Sequence, residues 1–164
     1  MELRYGILST SSIAPRFIAA VRACGKGEIV AVSSRSLSKA QEKAAQWEIP
    51  TAYGSHEQLL QDEKVNIVYI SNVNTQHYPW AKAALLAGKH VICEKPVTIG
   101  VESLKRMIAV SEETGKLFTV HQNRRWDEDF LVVKKLLQEN TLGNIFRIES
   151  RVHGSRGIPG DWRN

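Results

Sequence analysis

Two short stretches of the sequence carry side chains suited to holding phosphate. The first is Ser9-Thr10-Ser11-Ser12-Ile13-Ala14, which follows an apolar run and opens a segment with helical spacing. It falls where a dinucleotide-binding turn would read G-x-G-x-x-G/A, with serine at both leading glycines and the permitted alanine at the third position. Such a turn must allow close backbone approach to a pyrophosphate, offer amide donors and aim the positive end of a helix at the anion. Serine is small enough for the first requirement and adds a hydroxyl. The alternative, that Ser12 simply N-caps the helix, weighs equally on this segment alone. The second stretch is Ser33-Ser34-Arg35, with Lys39 one helical turn further on. A site for NAD would place an acid here for the ribose 2′-hydroxyl, and none is present. Hydroxyls, a guanidinium and an ammonium instead suit the 2′-phosphate of NADP. A surface arginine at a strand end is the rival reading.

These residues need a frame, and the hydrophobic period supplies one. Leu3 to Leu8 is a short apolar run, followed by Ile13, Phe17, Val21 and Cys24 at helical spacing up to Gly25-Lys26-Gly27. Glu28 to Ser33 predicts a strand, Ser36 to Trp47 a helix, Thr51 to Tyr53 a short strand and Ser55 to Leu60 a brief helix. Val65 to Ser71 reads as a buried strand, Tyr78 to Ala87 as a helix closed by Gly88, and His90 to Cys93 as a strand running into Glu94-Lys95-Pro96. Val101, Leu104 and Ile108 predict the buried face of a helix ending at Gly115, and Leu117 to His121 a further strand. Trp126, Phe130, Val133 and Leu137 mark a last helix, with a strand expected from Ile145 to Val152. Strands alternating with helices, and apolar along nearly their whole length, predict a parallel sheet covered on both faces. Ligands of such sheets bind at the carboxyl ends of the strands, where both phosphate-suited stretches fall.

Composition narrows the function further. The 164 residues include 22 Lys plus Arg against 17 Asp plus Glu, a net charge of +5, with 43% hydrophobic residues. This is ordinary globular composition and excludes a disordered or collagen-like chain. The basic residues are scattered over predicted helix faces rather than gathered in a stripe, which argues against a nucleic-acid partner. Trp47, Trp80 and Trp126 read as packing rather than as a stacking platform for bases. No apolar run approaches a membrane span, and Met1-Glu2-Leu3-Arg4 does not resemble a signal peptide. Cys24 and Cys93 lie in apolar segments without ligand spacing, so they read as reduced, half-buried thiols of a cytoplasmic protein, with no metal site.

One region is specific enough to name a family. Asn72-Val73-Asn74-Thr75-Gln76-His77, then Ala83 to Val91 (AALLAGKHV), then Glu94-Lys95-Pro96, resembles the T-P-N-x-x-H, A-L-x-A-G-K-H-V and E-K-P motifs of the glucose–fructose oxidoreductase/inositol dehydrogenase (Gfo/Idh/MocA) family. The resemblance continues through Gln122-Asn123-Arg124-Arg125-Trp126-Asp127 to Gly160-Asp161-Trp162-Arg163. It implies a Rossmann doubly wound parallel sheet over residues 1–122 and the beginning of a second α/β domain over residues 123–164. It also implies an NAD(P)-dependent oxidoreductase that moves hydride between a nicotinamide and a secondary alcohol or carbonyl of a sugar, inositol or related polyol.

Residue by residue, Lys95 matches the lysine that hydrogen-bonds the reacting oxygen and assists proton transfer, with a cis bond expected before Pro96. Asn72, Asn74, His77 and Glu94 match positions around the nicotinamide ribose and ring. Asn123, Trp162 and Arg163 match cofactor-contacting positions of the second domain, and Arg124 a substrate-facing one. The family's D-x-x-x-H acid–base segment is absent from this sequence, so the chain reads as stopping inside a second domain, inactive by itself and a homo-oligomer when complete. NADP is the expected cofactor, with NAD the alternative. A glycosidase using NAD for transient oxidation, and a non-catalytic dinucleotide-binding regulator, are the rival functions on the same scaffold.

Overall fold

In the computed structural model, residues 2–151 are described. They fall into two compact units, Met1–His121 and Gln122–Asn164. The first unit alternates strand and helix. Its strands are β1 (Leu3–Leu8), β2 (Gly27–Ser33), β3 (Thr51–Tyr53), β4 (Ile67–Ile70), β5 (His90–Cys93) and β6 (Phe118–Val120). Its helices are α1 (Ala14–Cys24), α2 (Leu37–Gln46), α3 (His56–Gln61), α4 (Asn74–Leu86) and α5 (Val101–Thr114). The sheet has the order β3-β2-β1-β4-β5-β6, and every pairing is parallel. Strand order therefore reverses between β1 and β4, which opens a crevice at their carboxyl ends. This is the Rossmann doubly wound sheet that the sequence predicts.

Two apolar layers fix the sheet. Ile7, Val32 and Tyr69 pack with Phe17 and Ile18 of α1 and with Trp47 after α2. Val68, Ile70 and Val91 pack on the opposite face with Leu59 of α3, Leu85 of α4 and Met107 of α5. All four residues of β4 are buried, as a central strand covered on both faces requires. Helix ends follow their sequence signals: Pro15 sits in the first turn of α1, and Gly25 and Gly115 close α1 and α5 in left-handed conformation.

The structure departs from the sequence reading in several places. Helix α4 begins at Asn74, four residues before the expected Tyr78, and carries Pro79 inside it. Its first turn is held instead by the Gln76 amide on the Val73 carbonyl and by the His77 ring. Helix α5 buries Met107 and Val110, whereas Val101 and Ile108 are exposed, so its core stripe is rotated from the predicted one. Cys93 is buried and Cys24 exposed, and both are free.

In the second unit the predicted last helix divides into a 3₁₀ turn, Asn123–Trp126, and helix α6, Glu128–Gln138. Trp126 is exposed rather than packed. No strand forms over 145–151; Ile145, Phe146 and Ile148 are exposed and irregular, since a lone strand without a ladder partner has no stability of its own. Val152, the end of that predicted strand, lies outside the described residues. Among the described residues no helix is long and apolar enough to cross a membrane, and no group of three or more His, Cys, Asp or Glu side chains could hold a metal ion.

Candidate functional site

The carboxyl ends of β1, β2, β4 and β5 gather most of the predicted site residues onto one edge of the sheet. After β1, Ser9 has φ 140°, a conformation glycine adopts freely and an L side chain rarely does. The turn therefore keeps a glycine-like backbone at the first fingerprint position although the residue there is serine. Ser12 is not the N-cap of α1; Ile13 occupies that position and no side chain caps the helix. The first turn of α1 carries no acid, so nothing neutralises the positive end of the helix dipole. Ser11 aims its hydroxyl downward, donating to Ser71 Oγ at 2.7 Å and tying the turn to the end of β4. An open cleft of about 560 Å³ lies beside this turn, lined by Thr10, Ser11 and Ser12 and, from α2 and its end, by Lys39, Glu42, Lys43 and Trp47, with Lys43 Nζ 3.1 Å from Glu42 Oε1. Lys43 did not figure among the predicted site residues; its spacing of one helical turn from Lys39 is the signal that points to it.

At the end of β2 the predicted phosphate residues separate. Ser33 is fully buried, Ser34 is 8% exposed with its amide donating to the Tyr53 carbonyl at 3.1 Å, and Arg35 is exposed. Neither Ser34 nor Arg35 lines the cleft that Lys39 enters. The Ser33 hydroxyl instead meets the buried ring of His56, 2.8 Å from Nδ1, and the Asn72 amide nitrogen lies 3.2 Å from Nε2. Burial holds the His56 pKa below the usual histidine value, Glu57 opposes that and the Arg35 charge reinforces it. No sequence signal marked His56, which sits at an ordinary helix start.

The ends of β4 and β5 are knit by side chains. His77 is 1% exposed and lies between two main-chain carbonyls, with Nδ1 2.7 Å from the Pro96 oxygen and Nε2 2.9 Å from the Asn72 oxygen. The ring binds the loop after β4 to the loop after β5, and it has no nitrogen turned toward a ligand. Asn72 and Asn74 stand partly exposed at the head of α4. The Lys95–Pro96 peptide bond is cis and Lys95 is exposed just beyond β5. Beside it, Glu94 Oε1 accepts from the Tyr69 hydroxyl and from His121 Nδ1, both at 2.7 Å. Burial pushes the Glu94 pKa up, but the hydrogen bonds of His121 and Tyr69, the His121 charge and the Lys95 amide together hold it below the ordinary carboxylate value. Burial and Glu94 raise the neighbouring Cys93 thiol to about 12, which keeps it protonated and inert. Tyr69 and His121 were legible only as strand residues; their polar tips meet because parallel strands bring the ends of β4 and β6 to the same level as β5.

Within the second unit, Asn123 and Arg124 lie in the 3₁₀ turn, and Arg124 pairs with Asp127 at 2.7 Å. Trp162 and Arg163 lie outside the described residues.

Comparison with known proteins bears on this edge of the sheet. A family model described as GFO_IDH_MocA, "Oxidoreductase family, NAD-binding Rossmann fold", matches residues 3–122. The chain is 34% identical over 150 residues to the uncharacterized oxidoreductase YdgJ of Escherichia coli, covering 91% of this chain and 42% of that protein. It is 37% identical over 150 residues to trans-1,2-dihydrobenzene-1,2-diol dehydrogenase of Sus scrofa, covering 88% and 44%. Among solved structures, an NAD-binding protein from Listeria innocua superposes with a TM-score of 0.92 at 42% identity, over 99% of this chain and 48% of that one. KijD10, a 3-ketoreductase from Actinomadura kijaniata solved with NADP and TDP-benzene, gives a TM-score of 0.80 at 28% identity, over 85% and 43%. The chain spans less than half the length of these relatives.

Proposed function

The chain belongs to the Gfo/Idh/MocA family of oxidoreductases with an NAD-binding Rossmann fold, and from that premise we propose that it binds a nicotinamide dinucleotide across the carboxyl ends of β1, β2, β4 and β5. Residues 1–122 form the dinucleotide-binding domain and residues from 123 onward belong to a second one. The observation that carries this reading is the β1–α1 turn. Its uncapped helix end, the positive φ of Ser9 and Lys39 across the cleft, with Lys43 beside it paired to Glu42, fit an anionic ligand approaching the backbone closely. A pyrophosphate is such a ligand.

Cofactor choice turns on the end of β2. Arg35 is exposed and no acid stands at that strand end, so a 2′-phosphate meets a guanidinium where a bare 2′-hydroxyl would meet no acceptor carboxylate. NADP(H) is therefore the preferred form, with NAD(H) binding more weakly. KijD10, the relative solved with NADP, is in keeping with this choice.

The protein's reaction is hydride transfer between the bound nicotinamide and a secondary alcohol or carbonyl carbon of a sugar, inositol or related polyol. The cofactor supplies the hydride donor or acceptor; the chain supplies position and charge. Lys95, exposed just past β5, polarises the substrate carbonyl and stabilises the alkoxide that develops there. Asn72, Asn74 and Glu94 border the same strand ends, and His77 holds the loop of Asn72 to the loop that carries Lys95. Titrating the chain with NADPH and with NADH, followed by nicotinamide fluorescence, tests the reading. Saturable binding with NADPH the tighter ligand is expected; no saturable binding of either dinucleotide overturns it.

A further inference from the structure

Tyr69 and His121 turn their polar tips onto Glu94, and the residue after Glu94 is Lys95. Tyr69 is fully buried, its ring stacked on Phe17 with centroids 3.8 Å apart, and its hydroxyl donates to Glu94 Oε1 at 2.7 Å. The His121 ring meets Phe17 and Tyr69 edge-on, at 5.7 and 5.9 Å, and its Nδ1 donates to the same oxygen at 2.7 Å. With its pKa below the ordinary carboxylate value, Glu94 is ionised at neutral pH. An ionised carboxylate only accepts, so Nδ1 carries a proton whether the ring is neutral or charged, and the contact does not depend on the ring's ionisation. Hydrogen bonds to a charged acceptor are about twice as strong as neutral ones. Two donors built into a packed aromatic cluster therefore hold this carboxylate.

What the carboxylate holds in turn is the chain beyond the sheet. The strand ladder ends here, with the Glu94 amide on the Ile70 carbonyl at 2.9 Å and the His121 amide on the Cys93 carbonyl at 2.8 Å. The next amide along the chain, that of Lys95, meets Glu94 Oε2 at 3.4 Å. On the far side of Lys95 the Pro96 carbonyl lies 2.7 Å from His77 Nδ1. Side chains from β4, α4 and the end of β6 thus grip the residues on both sides of Lys95, where the ladder no longer does. Protein donors engage both Glu94 oxygens, so the carboxylate serves the chain before any ligand. Lys95 is itself exposed, and the reach of its flexible four-carbon stem starts from that main chain.

We propose that Tyr69 and His121 are positioning residues: acting through the Glu94 carboxylate, they fix the main chain from which Lys95 reaches the substrate oxygen. This rests on the role given to Lys95 above. Loss of either donor lets the carboxylate turn and releases the Lys95 amide. The ammonium then spends less time in the reactive geometry, where small misplacements are costly. The phosphate-suited turn after β1 keeps its path, so dinucleotide affinity holds.

Two measurements test this. In this chain, ¹⁵N relaxation reads the order of the Lys95 amide. Tyr69→Phe removes the hydroxyl and keeps the stacked ring, His121→Leu removes the second donor, and His121→Asn returns an amide donor near the place of Nδ1. The Lys95 order parameter is expected to fall toward the flexible range, below about 0.6, in Tyr69→Phe and His121→Leu. It should stay near the rigid value in wild type and in His121→Asn, with the β1 amides unchanged throughout. No fall at Lys95, or an equal fall across β1, overturns the proposal.

The second measurement is steady-state oxidation by the complete protein, with NADP⁺ and with myo-inositol, D-glucose and D-sorbitol as probe substrates. Tyr69→Phe and His121→Leu should lower kcat by about tenfold with KM unchanged, and His121→Asn should restore it. In a Lys95→Ala background the same substitutions should cost nothing further, because residues acting through one path are not additive. Additive losses would make the cluster merely structural and overturn the proposal while leaving the role of Lys95 intact. Near-normal turnover in Lys95→Ala, or turnover of none of the probes by wild type, overturns the reaction reading and the positioning role with it.

Discussion

The strand-end edge of the sheet is built in two different ways. Around β1 and the end of β2 the equipment is backbone and charge on the face of one helix: a positive-φ turn, an uncapped helix end, Lys39, and Lys43 paired with Glu42. Around β4 and β5 it is side chains that hold each other, His77 between two carbonyls and Glu94 between Tyr69 and His121. The first region can change residue type as long as the chain keeps its path, because amides and a dipole do not depend on which small residue carries them. The second cannot, because each contact needs a particular donor or acceptor at a particular reach. Substitutions should therefore have large and specific effects at β4–β5, and small effects of either sign in the β1–α1 turn.

Lys95→Ala in the complete protein should give the largest effect. Removing the ammonium that polarises the reacting oxygen is expected to lower turnover by about 100-fold or more while leaving the dinucleotide Kd nearly unchanged. Steady-state rates beside a cofactor titration check both halves. Near-normal turnover would place the chemistry on other residues and remove the contrast at its functional end.

Arg35→Asp tests the other region by charge reversal. Loss of a charge-assisted contact to the 2′-phosphate should weaken NADPH binding by roughly ten- to a hundredfold, and the new carboxylate should favour NADH. An unchanged ratio of the two affinities would show that Lys39 and Lys43, which line the cleft, carry the phosphate instead.

At β5 the paired Glu94 makes a stability prediction with a sign. Its pKa is depressed in the folded chain from an ordinary value of 4.5. A carboxyl of this kind contributes its stability above the unfolded pKa and loses it as pH falls through the folded one. Glu94→Gln should therefore destabilise the chain at pH 7 by about 1–3 kcal/mol, since hydrogen bonds to a charged acceptor are replaced by neutral ones. Wild type and variant should converge once the carboxyl is protonated. Denaturant unfolding at pH 7 and at a pH below the folded value measures both points, and a gap independent of pH would contradict the network. His56 contributes in the same direction along the pH axis, in a higher window. Its folded pKa is lowered from 6.5, so the unfolded chain takes up the proton first and the fold loses stability as pH drops below that value.

The two regions also differ in how far the sequence could be read. The alternation that builds the sheet is written in residue type, so β1 and β5 were legible to the residue, and Glu94-Lys95-Pro96 by its letters alone. The rotated core stripe of α5 was not, because Val101, Leu104 and Ile108 fit a helical face as well as Leu104, Met107 and Val110 do, and packing on α4 chose the second. Nor could the early start of α4 be read, since Pro79 marks a helix start in sequence while the first turn is secured by a His77 ring contact that spacing does not reveal. In the β1–α1 turn the letters pointed both ways. Serine at two glycine positions weakened the fingerprint, and the φ of Ser9, which restores its shape, is a property of the backbone and not of the sequence string.

Those two serines offer the finest division of the comparison, because each replaces a fingerprint glycine and the structure gives them opposite roles. Ser9 holds φ 140°, where a side chain is strained by about 1–3 kcal/mol. Glycine relieves that strain and gives back about 0.5–1 kcal/mol through the greater freedom of the unfolded chain. Ser9→Gly should therefore stabilise the fold by about 1 kcal/mol, raising Tm by roughly 2–4 °C for a chain of this size. Ser11 is the opposite case, since its hydroxyl donates to Ser71 Oγ at 2.7 Å and glycine deletes that bond. Ser11→Gly should cost about 1 kcal/mol for the lost contact, with the unfolded-chain term adding to it. If the turn works through its backbone path, NADPH affinity should hold in Ser9→Gly whatever happens to Tm. Thermal unfolding and NADPH titration of both variants decide the matter. Destabilisation by both glycines would mean that the Ser9 hydroxyl is itself a structural contact and that this turn, like the ends of β4 and β5, depends on residue identity.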